Sequence, residues 1–279
     1  MKKVIVILLA AALLLSCIGC KTAENKKLTV AMSPDFAPME FVDTSKSGQE
    51  QYVGFDVTLA NFLADELGME LEIKPMSFDA CMTAVQLGSV DMAISGFSWK
   101  PDRAENFLLS DYYIAGDNET QQSVITVKAK ENTCKTQADF SGWKVGAQAS
   151  SLQEQLVKDE LIPAGAELVV YKSIDDAVLA LQTGKIDALA VAHGNGEAII
   201  ANNPDLAFTG FDFDVDPKYE NNVILLNKNS TEMLEKVNKV LAKAMAAGVY
   251  DGWYEDAKAL AGIPTAADVS YDDDGKPVS

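Results

Sequence analysis

The chain has 279 residues, 48% of them hydrophobic, so it can bury one or two cores. This composition excludes collagen-like and largely disordered proteins. The formal charge is −18, and we expect no nucleic-acid partner because a phosphate backbone would repel such a chain. The single histidine, His193, excludes a multi-histidine metal site. We expect no metal, no cofactor and no catalytic residues.

The chain begins with a segment typical of a secretory signal peptide. Apolar residues 4–15 follow two lysines and are too few, at 1.5 Å per residue, to cross a bilayer core of about 30 Å. The next residues, Leu14-Leu15-Ser16-Cys17, resemble a bacterial lipobox, in which the cysteine is lipidated. Cys17 fits this pattern better than Cys20, and an ordinary cleaved secretory signal is the alternative. The predicted bounds are 1–16 for the signal peptide and 17–27 for a lipidated tether.

Short strands alternate with helices along the remaining chain, which is typical of an α/β protein. A first strand at 28–32 is followed by a helix at 57–67, which Gly68 ends, and by a strand at 71–75. These elements predict the start of a first βαβ series.

A second βαβ series follows further along the chain. It consists of strands at 123–127, 143–147 and 168–171 and a helix at 152–158. An apolar strand at 222–226 then precedes an amphipathic helix at 231–247, which Gly248 ends. The polar, acidic residues 270–279 predict a disordered tail.

An internal repeat connects the two series. Residues 84–93, AVQLGSVDMA, match residues 180–189, ALQTGKIDAL, at an offset of 96. Each copy reads as a helix end, a glycine at the C′ position and an apolar strand that opens with an aspartate. The repeat predicts two α/β lobes of similar plan; chance agreement of common residue types is the alternative.

Two cysteines lie in the body of the chain. Cys81 belongs to an apolar helical stretch and reads as a small buried hydrophobe, whereas Cys134 lies in a polar loop. Because the two lobes separate them, we favour free thiols over a disulfide bond.

Five motifs occur in a recognisable order. They are DFAPME (35–40), VGFDV (53–57), LGSVD (87–91), SGFSWKPDR (95–103) and LSDYY (109–113). Over about 28–253 the chain resembles the family 3 extracellular solute-binding proteins, the amino-acid-binding components of bacterial ABC importers. The resemblance implies an α/β, two-lobed periplasmic-binding-protein (type II) fold, with a β-sheet flanked by helices in each lobe and the ligand in the cleft between them.

The resemblance also implies that the first lobe is discontinuous in sequence. We place the crossovers where strands lie near Gln122 and Asn222. The predicted bounds are 28–121 for the first part of lobe 1, 122–221 for lobe 2, and 222–269 for the return strand and helices that complete lobe 1.

Arg103 is the main candidate ligand-binding residue. Its planar guanidinium can hold a carboxylate through two hydrogen bonds. Backbone N–H groups and hydroxyls of the preceding loop can add donors to the same anion; that loop is Ser95, Gly96, Phe97 and Ser98. The resemblance favours this α-carboxylate clamp over a surface ion pair of Arg103 with Asp102 or Glu105.

Further site residues come from the resemblance. Ser150 and Ser151 match a step in the second lobe where a hydroxyl and a helix N-terminus face the ligand carboxylate, a role compatible with helix capping. Phe36 and Phe78 match the aromatic and apolar residues on either side of the ligand side chain. An ordinary core position is the alternative for both phenylalanines.

The sequence departs from the family pattern at three positions. Lys100 replaces a threonine that donates a hydroxyl to the ligand carboxylate, and Thr58 replaces an acidic residue of a helix. Ala192 replaces the aspartate that pairs with the ligand α-ammonium. A buried ammonium without an anion costs several kcal/mol, so the third departure puts the ligand class in question.

Two explanations of Ala192 stay open. Another carboxylate takes the place of the missing aspartate, the candidates being Glu197, Glu40 and Asp43, or the ligand is not a plain α-amino acid. His193 and Asn195 belong to a glycine-rich stretch, 193–196, which reads either as a loop at the cleft mouth or as a surface turn.

We therefore expect a monomeric lipoprotein, exported and anchored to the cell membrane facing the outside or the periplasm. It would capture a small carboxylate-bearing ligand, an amino acid or a derivative, by closing its lobes, and would then dock on ABC permease subunits. One alternative is an enzyme on the same scaffold, of the cyclohexadienyl dehydratase kind, with a cleft carboxylate such as Glu197 as general acid. Another is a ligand-binding sensor component.

Overall fold

The computed structural model describes residues 26–113, 120–219, 221–265, 268, 270–271 and 277–278. The predicted signal peptide, both candidate lipidation cysteines and most of the acidic tail lie outside these residues. Of the tail, Ser270–Tyr271 and Pro277–Val278 pair as antiparallel strands. No helix in the described ranges is long and apolar enough to cross a membrane.

The α-helices of the described residues alternate with the strands along most of the chain. They are α1 (Phe55–Leu67), α2 (Phe78–Gln86), α3 (Pro101–Asn106), α4 (Leu152–Leu156), α5 (Ile174–Gln182), α6 (His193–Asn202), α7 (Thr231–Ala247) and α8 (Tyr250–Ala261). A π-helical turn, Val157–Leu161, continues α4.

The strands are mostly short. They are β1 (Lys27–Met32), β2 (Asp35–Phe36), β3 (Glu40–Val42), β4 (Tyr52–Val53), β5 (Glu70–Pro75), β6 (Met92–Ala93), β7 (Leu108–Leu109), β8 (Gln122–Val127), β9 (Lys144–Gln148), β10 (Glu167–Tyr171), β11 (Ala188–Ala192), β12 (Leu206–Asp212), β13 (Leu225–Leu226), β14 (Ser270–Tyr271) and β15 (Pro277–Val278). A small separate sheet contains β2, β3 and β4.

Two larger sheets follow the same plan. The first has the order β5-β1-β6-β13-β7 and the second the order β10-β9-β11-β8-β12. In each, the first three strands are parallel and the last two are antiparallel to their neighbours. The chain passes to the second sheet after β7 and returns with β13, so the first lobe is built from two separate parts of the sequence.

The two copies of the sequence repeat have the same local structure. In the first copy α2 ends before Gly88, whose φ is +66°, and β6 follows; in the second, α5 ends before Gly184, whose φ is +70°, and β11 follows. The two aspartates also correspond, because Asp91 accepts from Thr29 N at 2.7 Å and Asp187 from Lys144 N at 3.0 Å. Each thereby ties the repeat to the neighbouring parallel strand.

Helices cover both faces of each large sheet. Side chains of β1 alternate, so that Val30 and Met32 pack with α1 and α8 while Ala31 packs with α2. In the second sheet Val124 packs with α4, and its neighbour Ile125 with α5. Cys81 and Cys134 are both buried free thiols.

The structure differs from the sequence predictions in two places that concern the site. The predicted strand at 222–226 is shorter, since the ladder contains only Leu225 and Leu226. Residues 193–196 form the first turn of α6 rather than a loop or a surface turn. Gly196 lies in close contact with the ring of Phe208, where a Cβ would lie 2.7 Å from a ring carbon. A glycine at this position therefore allows close packing and does not form a turn.

Candidate functional site

A cavity lies between the two lobes, where the carboxyl ends of β1, β9 and β11 meet. Ligands of open α/β sheets bind at such edges. Its walls contain six neutral residues and one arginine from lobe 1, and eight neutral residues from lobe 2. They are Ser33, Phe36, Phe78, Ser95, Gly96, Ser98 and Arg103, then Gln148, Leu152, Gln153, Ile174, Ala190, Val191, Ala192 and Asn195.

Arg103, the single arginine of the sequence, lies on α3 and is 1% exposed. Its guanidinium donates to the carbonyls of Ser98 at 2.5 Å and Ser150 at 3.0 Å. It also lies over the rings of Phe78 and Phe97, at 5.5 and 5.2 Å from their centroids. Burial lowers the pKa of Arg103 to about 10, so the group is cationic at neutral pH. Its buried Nε has no hydrogen-bond partner within the described chain.

The loop before Arg103 is held mainly from within lobe 1. The Ser95 hydroxyl donates to Glu40 Oε1 and accepts from Ser33 N at 3.0 Å. The Gly96 N–H donates to Asp56 Oδ2 at 2.8 Å. The Ser95 hydroxyl and the Gly96 N–H were predicted to donate to a ligand carboxylate, but both already donate to side chains of lobe 1.

The aromatic residues of the site have different positions. The rings of Phe36 and Phe78 line the cavity, and Phe36 packs directly on Gly96, where a Cβ would lie 2.6 Å from its ring. Phe97 is fully buried behind the wall and stacks on Phe78 with 4.5 Å between ring centroids. It therefore supports the cavity wall without facing the cavity.

Ser150 and Ser151 do not line this cavity. Ser151 caps α4, because its hydroxyl accepts from Glu154 N at 3.0 Å. The Ser150 N–H donates to the Glu154 carboxylate at 2.6 Å. Both serines line a separate cleft on the other side of Arg103, together with Lys100. The link to the site is the Ser150 carbonyl, which accepts from Arg103.

Of the residues in the first turns of α6 that were predicted near the cleft mouth, only one faces the cavity. His193 contacts the Ser123 hydroxyl at 2.8 Å and stacks on Phe208 at 4.4 Å, and its Nε2 lies 3.9 Å from Glu197. Neither His193 nor Glu197 lines the cavity. Asn195 faces the cavity instead: its Nδ2 donates to Ala37 O at 2.9 Å, and its buried Oδ1 has no donor within the described chain.

The described side chains that line the cavity carry a net positive charge. Among the described residues that line it, Arg103 has the only ionised side chain. The proposed substitutes for the missing aspartate lie elsewhere: Glu40 is buried behind the loop, and Asp43 pairs with Lys46 at 3.2 Å. Ala192 lines the cavity at the position where the resemblance implies an aspartate.

Sequence reasoning missed several cavity residues, of which Gln148 and Ser33 are the clearest. Gln148 is the last residue of β9, and Ser33 directly follows β1. A polar residue at the carboxyl end of a parallel strand is a signal that could have found both.

Asp35 connects the lobes beside the cavity. Its carboxylate, on β2, accepts from Ile174 N in lobe 2 at 2.8 Å and lies 3.4 Å from the Gln148 amide nitrogen. Together with the bonds from Arg103 to Ser150 and from Asn195 to Ala37, these contacts close the lobes over the cavity.

Comparison with known proteins places these features in a family. The family described as bacterial extracellular solute-binding proteins, family 3, matches residues 28–256. The arginine-binding extracellular protein ArtP of Bacillus subtilis is 29% identical over 248 residues, which cover 86% of this chain and 92% of ArtP.

Solved structures of similar proteins support the same assignment. The substrate-binding protein AbpA of Streptococcus pneumoniae, bound to L-arginine, is 35% identical and superimposes with a TM-score of 0.76, covering 85% of this chain and 97% of its own. A Salmonella typhimurium periplasmic binding protein with high arginine specificity is 26% identical, with a TM-score of 0.74 and coverage of 83% and 98%. These neighbours confirm the predicted two-lobed α/β fold, and they are named as binding proteins rather than enzymes.

Proposed function

Because the chain belongs to the family 3 bacterial extracellular solute-binding proteins, we propose that Arg103 holds the carboxylate of an amino acid captured between the lobes. The observation that carries this proposal is the state of Arg103, which is a buried cation at the wall of an interlobe cavity. One of its nitrogens, Nε, has no partner within the described chain. A buried unpaired donor on a cation favours an anionic ligand.

A second unpartnered atom suits the amino end of the ligand. Asn195 Oδ1 is a buried acceptor, held in place because the other end of the amide bonds to Ala37. An α-ammonium could donate to this oxygen and to the Ser33 hydroxyl, which also lines the cavity. The ligand side chain would then lie between the rings of Phe36 and Phe78.

L-Arginine is the first candidate ligand. It is bound in the pneumococcal relative, and two further relatives are named for it. Asp35 contacts the cavity residues Gln148 and Ile174 and adds a negative charge at the cavity edge that suits a cationic side chain.

A carboxylate without an amine is the second candidate. The observation that favours it is the absence of any ionised acid among the described residues lining the cavity, with Ala192 at the expected position. Without such an acid, an α-ammonium would be desolvated against neutral acceptors alone.

A thermal-shift screen of the protein without residues 1–20 distinguishes the candidates. The probes are L-arginine, L-histidine, L-glutamine, agmatine, which is arginine without its carboxylate, and 5-guanidinopentanoate, which is arginine without its amine. We expect L-arginine at a hundred times its Kd to add about 2.7 kcal/mol of stability.

Agmatine should not stabilise the protein, because it has no group for Arg103. Stabilisation by agmatine equal to that by arginine would contradict the carboxylate assignment. Stabilisation by 5-guanidinopentanoate and not by arginine would favour the second candidate, and stabilisation by none of the probes would count against both.

The location and the partners are also part of the proposal. The lipobox-like residues 14–17 support an exported protein with a lipid on Cys17, or on Cys20. In this setting the closed, ligand-bound form would deliver its cargo to the permease subunits of an ABC importer. Closure depends on the ligand because only a molecule that contacts both lobes favours the closed state.

A further inference from the structure

Two carboxyl groups lie buried behind the cavity loop, and neither forms an ion pair with a cation of the described chain. Glu40, on β3, and Asp56, in the first turn of α1, are both fully buried. The charged groups that act on Glu40 are the carboxylates of Asp56 and Asp35, and no lysine or arginine of the described residues acts on either buried acid. Two buried negative charges in contact would repel each other strongly.

Both carboxyl groups hold the loop that lines the cavity. Asp56 Oδ2 accepts from the Gly96 N–H at 2.8 Å and from the Tyr113 hydroxyl at 3.0 Å. Glu40 Oε1 accepts from the Ser95 hydroxyl. Ser95 and Gly96 line the cavity, so the acid pair forms the support directly behind its wall.

The remaining oxygen of each carboxyl group lacks a hydrogen-bond donor, which a proton shared by the two groups would supply. Glu40 Oε2 and Asp56 Oδ1 are buried and have no donor within the described chain, although the two side chains lie within hydrogen-bonding reach of each other. One proton on either group satisfies both oxygens at once. Burial and the neighbouring Asp56 raise the pKa of Glu40 well above its usual range, while burial raises the pKa of Asp56 to about 6.

We propose that Glu40 and Asp56 share one proton at neutral pH and act as positioning residues, fixing Ser95 and Gly96 in the wall of the ligand cavity. Glu40 carries the proton and donates to Asp56 Oδ1, and the Asp56 carboxylate then accepts three hydrogen bonds. The role in ligand binding rests on the proposed function; the shared proton does not.

The described groups around the pair do not supply a compensating positive charge. Asp35, next to Phe36 in the cavity wall, opposes ionisation of Glu40, and the buried Cys81 thiol on α2 is neutral. The Tyr113 hydroxyl is a neutral donor, and Tyr250 on α8 lies near Tyr113 and is also neutral. Loss of the proton would therefore leave a second buried negative charge beside the loop.

Proton counting tests the shared proton without a ligand. Unfolding at pH 7 exposes Glu40, which then ionises, so the wild type should release about one proton more than Glu40→Gln. Equivalently, the unfolding equilibrium constant of the wild type should rise about tenfold more per pH unit than that of Glu40→Gln between pH 6 and pH 8. The control is Glu50→Gln, an exposed carboxylate of the same lobe, which should match the wild type.

Equal proton release from the wild type and Glu40→Gln would overturn the proposal. If Glu40→Gln does not fold, the infrared spectrum of the wild type in deuterium oxide decides, because a protonated carboxyl group has its own carbonyl band. Absence of that band at neutral pH would mean that both groups are ionised.

The affinity for L-arginine, measured by isothermal titration calorimetry, tests the positioning role. Glu40→Gln keeps an acceptor for Ser95 and a donor for Asp56, so its Kd should lie within about twofold of the wild type. Glu40→Ala removes both and should raise Kd at least tenfold. An equal loss in the two variants, or no loss in either, would contradict a positioning role while leaving the proton count intact.

Discussion

Arg103→Ala is expected to weaken binding of the ligand at least about hundredfold, or about 3 kcal/mol. The guanidinium is 1% exposed and is the one ionised side chain among the described residues lining the cavity. In the alanine variant a ligand carboxylate would be buried without a counter-charge. Isothermal titration calorimetry with the ligand identified by the screen measures the loss.

Two further variants separate the clamp from a general effect of charge. Arg103→Lys keeps the charge but loses the planar fork, so its affinity should lie between those of the wild type and the alanine variant. Lys100→Ala removes a neighbouring cation that lines the separate cleft and not the cavity, and should change Kd less than threefold. Equal effects of Arg103→Ala and Lys100→Ala, or none from either, would make the clamp assignment wrong.

The sequence predicted the lobes because their signals are local. A helix end, a glycine and an apolar strand lie within ten residues, so the pattern of residues 84–93 and 180–189 is visible without any long-range contact. The same holds for Gly248, which ends α7 with a left-handed conformation at φ +62°. Local chemistry and the fold agree at these places.

Placement of the site residues required tertiary contacts. The Ser95 and Gly96 donors read as free for a ligand because their acceptors, Glu40 and Asp56, are 55 and 40 residues away in sequence. The start of α6 was missed for a similar reason, since the glycine at 196 is explained by its packing on Phe208 of the following strand and not by its immediate neighbours in sequence. Starting a helix at His193 turns Asn195 toward the cavity and leaves His193 and Glu197 outside it.

Asp35 is a residue to which the sequence gives no role in closure. It reads as part of the motif after β1, yet its acceptor oxygens connect to lobe 2 through Ile174 N and the Gln148 amide. Burial raises the pKa of Asp35, and the hydrogen bond from Ile174 N opposes that rise. The side chain does not line the cavity, so it would contribute to affinity mainly through the closed state, with its charge at the cavity edge as a smaller, longer-range contribution.

Asp35→Ala should therefore raise Kd by roughly thirtyfold, because loss of a hydrogen bond to a charged group costs about 2 kcal/mol. The change should appear mainly as faster dissociation, since the closed complex loses contacts that the open form never has. Stopped-flow fluorescence or surface plasmon resonance measures both rate constants with the ligand identified by the screen.

Asp35→Asn is the matched control for the closure role. Its amide oxygen can still accept from Ile174 N, so its Kd should stay within about fivefold of the wild type. The Ser33 hydroxyl also donates to Asp35, at 2.8 Å, so a local defect in lobe 1 is the competing explanation. Chemical unfolding without ligand decides between them: a defect in lobe 1 should lower the unfolding free energy of Asp35→Ala below that of Asp35→Asn, whereas a role in closure alone should leave the two variants equally stable. Small-angle X-ray scattering should show the ligand-bound alanine variant shifted toward the open form at subsaturating ligand.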